Sequence, residues 1–242
     1  TLHGPSHDLH SGGYGGALVN PANALTKILG QLHDDDGRVQ IAGFYDAVQQ
    51  VSKAQVDQWN GLGDADALLL ESSGAKATFG EKGYGAHERL WARATGDINR
   101  LQAGYQGDGA KTVIGATATA KISGRIVAHQ DPIKMEKALF HFLESRTPVG
   151  CHWTLKSFGK APAISVPTES PWLSAASDAL STIFPNPTVL LGTGGSIPVV
   201  GEFQNILGVD AVMIGFSLDD DLIHAPNEKF DLTCFHRGIR SH

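Results

Sequence analysis

His224 stands in Ile-His-Ala-Pro-Asn-Glu-Lys-Phe, residues 223–230, just after the acidic run Asp219-Asp220-Asp221. An imidazole between carboxylates and a proline turn can ligate a metal, bind a substrate or sit on the surface. Alone, such a histidine is more often structural or exposed than a ligand. Gly192-Thr193-Gly194-Gly195-Ser196-Ile197-Pro198 is a second candidate. Glycines let the backbone approach a ligand, and a helix N-terminus offers free N–H groups to an anion. That loop can hold a carboxylate with Ser196 as an added donor, and a plain tight turn fits it equally well. His7-Asp8-Leu9-His10, with His3, offers imidazoles and a carboxylate, but the spacing is loose for a self-contained zinc site. Arg125 lies in phase with Lys121 and Ser123. A guanidinium there suits bidentate carboxylate recognition, although periodicity alone favours a surface charge. No G-x-S-x-G elbow is present, so that form of serine nucleophile is absent.

The elements that must position these residues follow from pattern. Asn20-Pro21 reads as an N-cap with proline at the first helical position. Ala24, Leu25, Ile28, Leu29 and Leu32 then recur at helical spacing. Residues 51–84 mix Gly, Ala, Ser and charges, giving helices and loops. Thr112-Val113-Ile114, and then Thr117, Thr119, Lys121 and Ser123 alternating with Ala118, Ala120 and Ile122, predict a strand with one wet face. Asp131-Pro132 opens a helix whose apolar side is Ile133, Leu139, Phe142 and Leu143, and His152–Phe158 reads as a strand. Residues 160–167, with two prolines, form a linker. Beyond it the order is helix 170–184, strand 188–191, helix 198–207, strand 211–216 and helix 227–240, with Asn227 and Glu228 as the last helix's cap. The fold class expected is α/β (α+β): an antiparallel sheet with helices on one face, then a partial parallel α/β segment. Two strands are too few for an independent sheet, so the second part needs strands from elsewhere.

The chain of 242 residues is 41% hydrophobic and 18% charged, ordinary for a soluble protein. Its net charge of −6 comes without a basic stripe in the sequence, which argues against a nucleic-acid partner. No apolar run approaches the roughly 20 residues of a membrane helix, and no signal peptide opens the chain. Cys151 and Cys234 lie far apart, which fits a reducing, cytoplasmic setting. Thr-Leu-His-Gly at the start and Arg-Ser-His at the end both read as a piece of something longer.

Four motifs occur in order: D-L-H-S-G-G-Y-G-G with N-P-A (8–22), G-A-K-T-V-I (109–114) leading to K-I-S-G-R-I-V with Q-D-P (121–132), G-G-S-I-P-V-V (194–200), and H-A-P-N-E-K-F (224–230). Together they resemble the dinuclear-zinc exopeptidases, the carnosinases, aminoacylases and glutamate carboxypeptidases, nearest the bacterial dipeptidase-like branch. The resemblance runs over essentially the whole chain. It implies that His224 is the last metal-ligating histidine. It implies that His10 reaches into the partner subunit's active site and polarises the scissile carbonyl. Thr112 and Arg125 would hold the substrate, Arg125 through its carboxylate, and Gly195 and Ser196 would form the substrate loop. Residues 1–160 would be a lid and dimerisation domain, and 161–242 the closing segment of the catalytic domain. The activity implied is hydrolysis of dipeptides or acyl-amino acids by a metal-bound hydroxide, in a homodimer, with two zinc ions in the complete site. A non-catalytic dimerisation module is the alternative.

Family members carry an H-x-D pair, a bridging aspartate, a Glu-Glu pair and a further acidic ligand ahead of the lid. No Glu-Glu pair occurs in this chain, and no H-x-D pair precedes its lid. Gly192-Thr193 replaces the usual Arg-Glu, Gly115 replaces the proline of K-T-V-I-P, and Ala128 another proline. The glycine at 192 is expected to loosen the preceding strand end.

Overall fold

A computed structural model describes residues 1–194 and 197–241. In chain order the first elements are β1 (Leu2–His3), β2 (Leu9–His10), α1 (Ser11–Tyr14), α2 (Pro21–Leu29), α3 (Lys53–Asn60), α4 (Ala65–Ser73) and α5 (Ala86–Trp91). Next come β3 (Thr95–Ala103), β4 (Val113–Ile114), β5 (Thr117–Arg125), α6 (Pro132–Glu144) and β6 (His152–Trp153). Then follow α7 (Pro171–Ser181), α8 (Pro198–Glu202) and α9 (Leu232–Arg240). The chain forms two compact units. Unit 1 is Thr1–Gln50, Phe79–Tyr84 and Ala92–Ala163; unit 2 is Val51–Thr78, Gly85–Trp91 and Ile164–His242.

Unit 1 is built on an antiparallel sheet in the order β3-β5-β1-β6. With α2 after β1 and α6 after β5, the connectivity is β-α-β-β-α-β, a ferredoxin-like arrangement. Both long helices start as their caps dictate. Asn20 Oδ1 accepts from the Ala22 N–H at 2.9 Å, and Asp131 Oδ1 accepts from the Ile133 N–H at 2.8 Å. Leu25, Ile28 and Leu29 of α2 and Phe142 and Leu143 of α6 share one buried cluster with Leu2 and Ala118, which face each other across β1 and β5. The other sheet face, with Thr117, Lys121 and Arg125, stays wet. β2 and β4 form a separate two-stranded ladder.

Unit 2 contains helices and turns, and no strand among its described residues. Residues 188–191 and 211–216, expected as strands, run without ladder bonds. The physical reason is visible at Leu190. Its carbonyl, free for a neighbouring strand, instead accepts from Trp59 Nε1 at 2.8 Å and Gln55 Nε2 at 3.2 Å. Met213 and Ile214 are exposed, as are Leu232, Phe235 and Ile239 along one face of α9. This unit leaves an apolar surface uncovered. The strand expected at His152–Phe158 keeps ladder pairing only over its first two residues.

Candidate functional site

His10 closes β2, where it faces Val113 of β4, and Leu9 faces Ile114. The Ser11 N–H donates to the Thr112 carbonyl at 3.0 Å, so His10 and Thr112 lie together on one small exposed flap. Asp8, which the sequence offered only as the carboxylate of a loose metal cluster, fastens that flap instead: its Oδ1 accepts from the Ala116 N–H at 2.8 Å, at the entry to β5. The signal was available in the motif D-L-H, where the carboxylate two residues before the histidine bonds a backbone rather than a metal.

The His10 ring is oriented by its own loop. Nδ1 accepts from the Gly12 N–H at 3.0 Å. The neutral ring therefore carries its proton on Nε2 and presents an outward N–H donor. Gly12 has to be glycine for this: a Cβ there would come within 2.8 Å of His10 Cε1.

Arg125 is exposed at the far end of β5, opposite Thr95. β5 is nine residues long, so its two ends lie about 26 Å apart at ~3.3 Å per residue. A dipeptide spans only about 7 Å. One copy of unit 1 thus brings His10 and Thr112 together and holds Arg125 away from them.

In unit 2, His224 is exposed on a tight loop whose backbone is unusual. Leu222, His224 and Asn227 all have positive φ, at 55°, 64° and 65°. Left-handed backbone at non-glycine residues costs of order 1–2 kcal/mol each and clusters at functional positions. Asp221 anchors the loop. Its buried carboxylate accepts from the Leu218 N–H at 2.7 Å and from Lys229 Nζ at 2.9 Å, and its carbonyl accepts from the Lys229 N–H at 3.0 Å. Glu228 turns back so that its Oε2 accepts from the His224 N–H at 3.3 Å. Neither Asn227 nor Glu228 caps the last helix, as the sequence reading expected. Asn227 has left-handed backbone, and the cap is Asp231, whose Oδ1 accepts from the N–H groups of Thr233 and Cys234 at 2.7 and 3.1 Å.

The Leu218 N–H, and then Lys229, hold the Asp221 carboxyl below the usual aspartate value of 3.8. A depressed folded-state pKa contributes stability above the unfolded value and loses it as pH falls through the folded one. The loop is therefore expected to loosen only below about pH 4, which NMR of the Leu218 amide would follow. Asp221→Asn at neutral pH should speed tryptic cleavage after Lys229 several-fold; an unchanged cleavage rate would show that Asp221 is not the anchor.

The zinc expectation meets a donor set that does not fit. Among the described residues no three His, Cys, Asp or Glu side chains gather where they could hold one ion. A catalytic zinc takes three protein ligands or more, and among the described residues His224 has no such set around it. H-x-D does occur twice inside unit 1, at His33-Asp34-Asp35 and His129-Gln130-Asp131, and neither is a ligand pair. Asp131, the carboxylate of the second, caps α6, and among the described residues no group of three donors gathers at either. Gly195 and Ser196, the expected substrate loop, lie outside the described residues.

The glycine at 192 does not loosen the chain. A Cβ there would meet Trp91 Cβ at 2.3 Å and the Trp91 carbonyl oxygen at 2.8 Å, so this backbone is pressed against another.

Solved metallopeptidase structures share this fold. The structure of an M20 family metallo-carboxypeptidase from Sulfolobus solfataricus superposes with a TM-score of 0.82 at 27% identity, over 99% of this chain and 55% of that one. Human carnosine dipeptidase 1 superposes at 0.76 with 25% identity, over 99% and 52%. The M20 peptidase dimerisation domain matches residues 1–151, and the chain belongs to that family. A Cys-Gly metallodipeptidase of Candida albicans is 26% identical over 99% of this chain and 50% of its own length. The Beta-Ala-His dipeptidase of Homo sapiens is 28% identical over 96% and 46%. The chain spans about half the length of the curated relatives it matches. No helix among the described residues is long and apolar enough to cross a membrane.

Proposed function

We propose that this chain is the lid and the closing segment of a cytoplasmic, zinc-dependent dipeptidase that works as a homodimer, with its other metal ligands supplied outside residues 1–242. The observation that carries this reading is the oriented His10 flap. His10 Nε2–H is free to donate to the oxygen of a scissile carbonyl as negative charge develops there, with Thr112 next to its ladder partner Val113 on the facing chain. The Arg125 guanidinium holds the substrate carboxylate. The ~26 Å along β5 supports a division of labour in which His10 and Thr112 serve the partner's substrate and Arg125 a different one. His224 would hold one metal ion, and its loop is built for a fixed histidine. The uncovered apolar face of unit 2 supports a missing half that supplies the sheet.

Mixing tests this. In the longest natural polypeptide containing this chain, His10→Ala and Arg125→Ala should each abolish hydrolysis of Cys-Gly or β-Ala-His. Equal mixing after subunit exchange makes half the dimers mixed, each with one intact site, so about a quarter of wild-type activity should return. No recovery, in dimers shown to exchange, would remove the cross-subunit role of His10.

The missing donor set favours a second reading, a non-catalytic dimerisation module. Under both readings β3, the long edge strand, is the surface we assign to pairing. Proline at Asn99 or Leu101 should convert a dimer to monomer in light scattering; a dimer that survives both substitutions would exclude that edge.

A further inference from the structure

The sequence shows no basic stripe, yet the sheet assembles one. On the wet face, Arg100 of β3 stands directly opposite Lys121 of β5. Like charges placed opposite each other across a ladder are destabilising, and this pair exists only because of an irregularity. Ile98 faces Ile122, so a regular ladder would set neutral Asn99 against Lys121; the register shift between Ile98 and Arg100 puts the guanidinium there instead. Bulges re-aim side chains in this way, often beside functional surfaces. Lys121 Nζ also lies 5.5 Å from the Phe158 ring, and Lys156 Nζ lies 5.1 Å from the same exposed ring. Among the described residues none of Arg100, Lys121 and Lys156 is in an ion pair; the Arg100 guanidinium donates to the neutral Gln102 amide. Arg125 continues the strip along β5 on the same face, with one carboxylate, Asp97, opposite Ser123 between it and Lys121. The cations cluster in a chain whose net charge is −6.

We propose that this face docks an extended, carboxylate-rich polypeptide segment. Same-face positions on β5 recur about every 6.6 Å, which is also the spacing of alternate side chains in an extended peptide. Lys121 to Arg125 therefore covers about 13 Å, or roughly four residues of such a segment. Carboxylates would neutralise the Arg100–Lys121 repulsion that the bulge creates. A nucleic acid fits less well. The chain as a whole is anionic, and the strip carries one exposed ring with an ammonium near it from each of two lysines, where single strands need successive stacking platforms.

The strip shares Arg125 with the proposed substrate site, so the test varies only Arg100 and Lys121, in the longest natural polypeptide containing this chain. Fluorescence anisotropy with fluorescein-labelled hexaglutamate should show binding that weakens steeply as salt rises from ~20 to ~200 mM. Arg100→Glu with Lys121→Glu should weaken it by roughly tenfold or more, and the milder Arg100→Gln with Lys121→Gln should fall between. Thermal melts of the Gln variant should match the wild type or exceed it, because a repulsive pair has been removed; the Glu variant exchanges one like-charge pair for another and should melt close to the wild type. The proposal is overturned if hexaglutamate fails to bind or if folded double variants bind it unchanged. It is also overturned if a single-stranded hexanucleotide binds more tightly than hexaglutamate.

Discussion

Glu81→Ala should cost about 3–5 kcal/mol of folding stability, the range for removing one partner from a buried ion pair. The Arg93 guanidinium grips the Glu81 carboxylate through Nε and an η-nitrogen at 2.6 and 2.8 Å, and both side chains are almost sealed, 6% and 5% exposed. Arg38 shares Oε1 of the same carboxylate but is 45% exposed. The difference decides the outcome. Without Glu81, Arg38 rehydrates and Arg93 cannot. Burial pulls the Arg93 pKa down, but the hydrogen bonds and charge of Glu81 outweigh it and leave it above its usual value. Tyr45 and Tyr84 lie against that guanidinium, 4.9 and 4.2 Å from its central carbon. Arg93→Ala should therefore approach the Glu81 loss, and Arg38→Ala should cost ~1 kcal/mol or less. Urea titration measures all three, and equal costs for Arg38→Ala and Arg93→Ala would sink the argument. The pin has a topological role as well. Unit 1 is left after Gln50, regained for Phe79–Tyr84, left again and regained at Ala92. Glu81 and Arg93 tie the two returns together.

None of that pin is legible in the sequence, because Glu81 and Arg93 meet only once the returning segments are placed. What could be read has local causes. Asn20-Pro21 and Asp131-Pro132 announce α2 and α6 by capping chemistry that needs no tertiary partner. The alternation from Thr117 to Ser123 gives β5. Its partner β3 is hidden because the bulge beside Asn99 breaks the period of two, and the two-residue strands β1, β2 and β4 are too short to have a period. The strands expected at 188–191 and 211–216 have the right composition but no neighbour, and strand character without a ladder is only extended chain. The site divides in the same way. His10, Thr112, Arg125 and His224 are visible as motif positions. Asp221, which fixes the His224 loop, is hidden inside an acidic run that looks merely solvated.

The departure at Gly192 makes the second large effect. Restoring the arginine usual in the family should be more damaging than alanine, and alanine itself should cost about 1–3 kcal/mol as an overpacked site. The atoms a Cβ would strike are Trp91 Cβ, the Trp91 carbonyl oxygen and Trp91 Cα, at 2.3, 2.8 and 2.9 Å. None is the end of a flexible side chain that could swing aside, so the backbone of α5 or of the 192 loop has to move. Trp91 stacks on His87 at 4.3 Å and meets Trp59 edge-on at 5.2 Å, and Trp59 in turn bonds the Leu190 carbonyl. Displacement at 192 thus reaches the contact that holds 188–191 without a neighbouring strand. Tryptophan fluorescence during urea unfolding reads this cluster directly: Gly192→Ala should shift both the emission and the midpoint, and Gly192→Arg should shift them further. Trimming the indole distinguishes backbone from side-chain crowding. Trp91→Gly removes the Cβ but leaves the carbonyl oxygen and Cα in place, so it should fail to rescue Gly192→Ala. Full rescue would show instead that the tryptophan side chain, rather than the close approach of two backbones, selects glycine at this position.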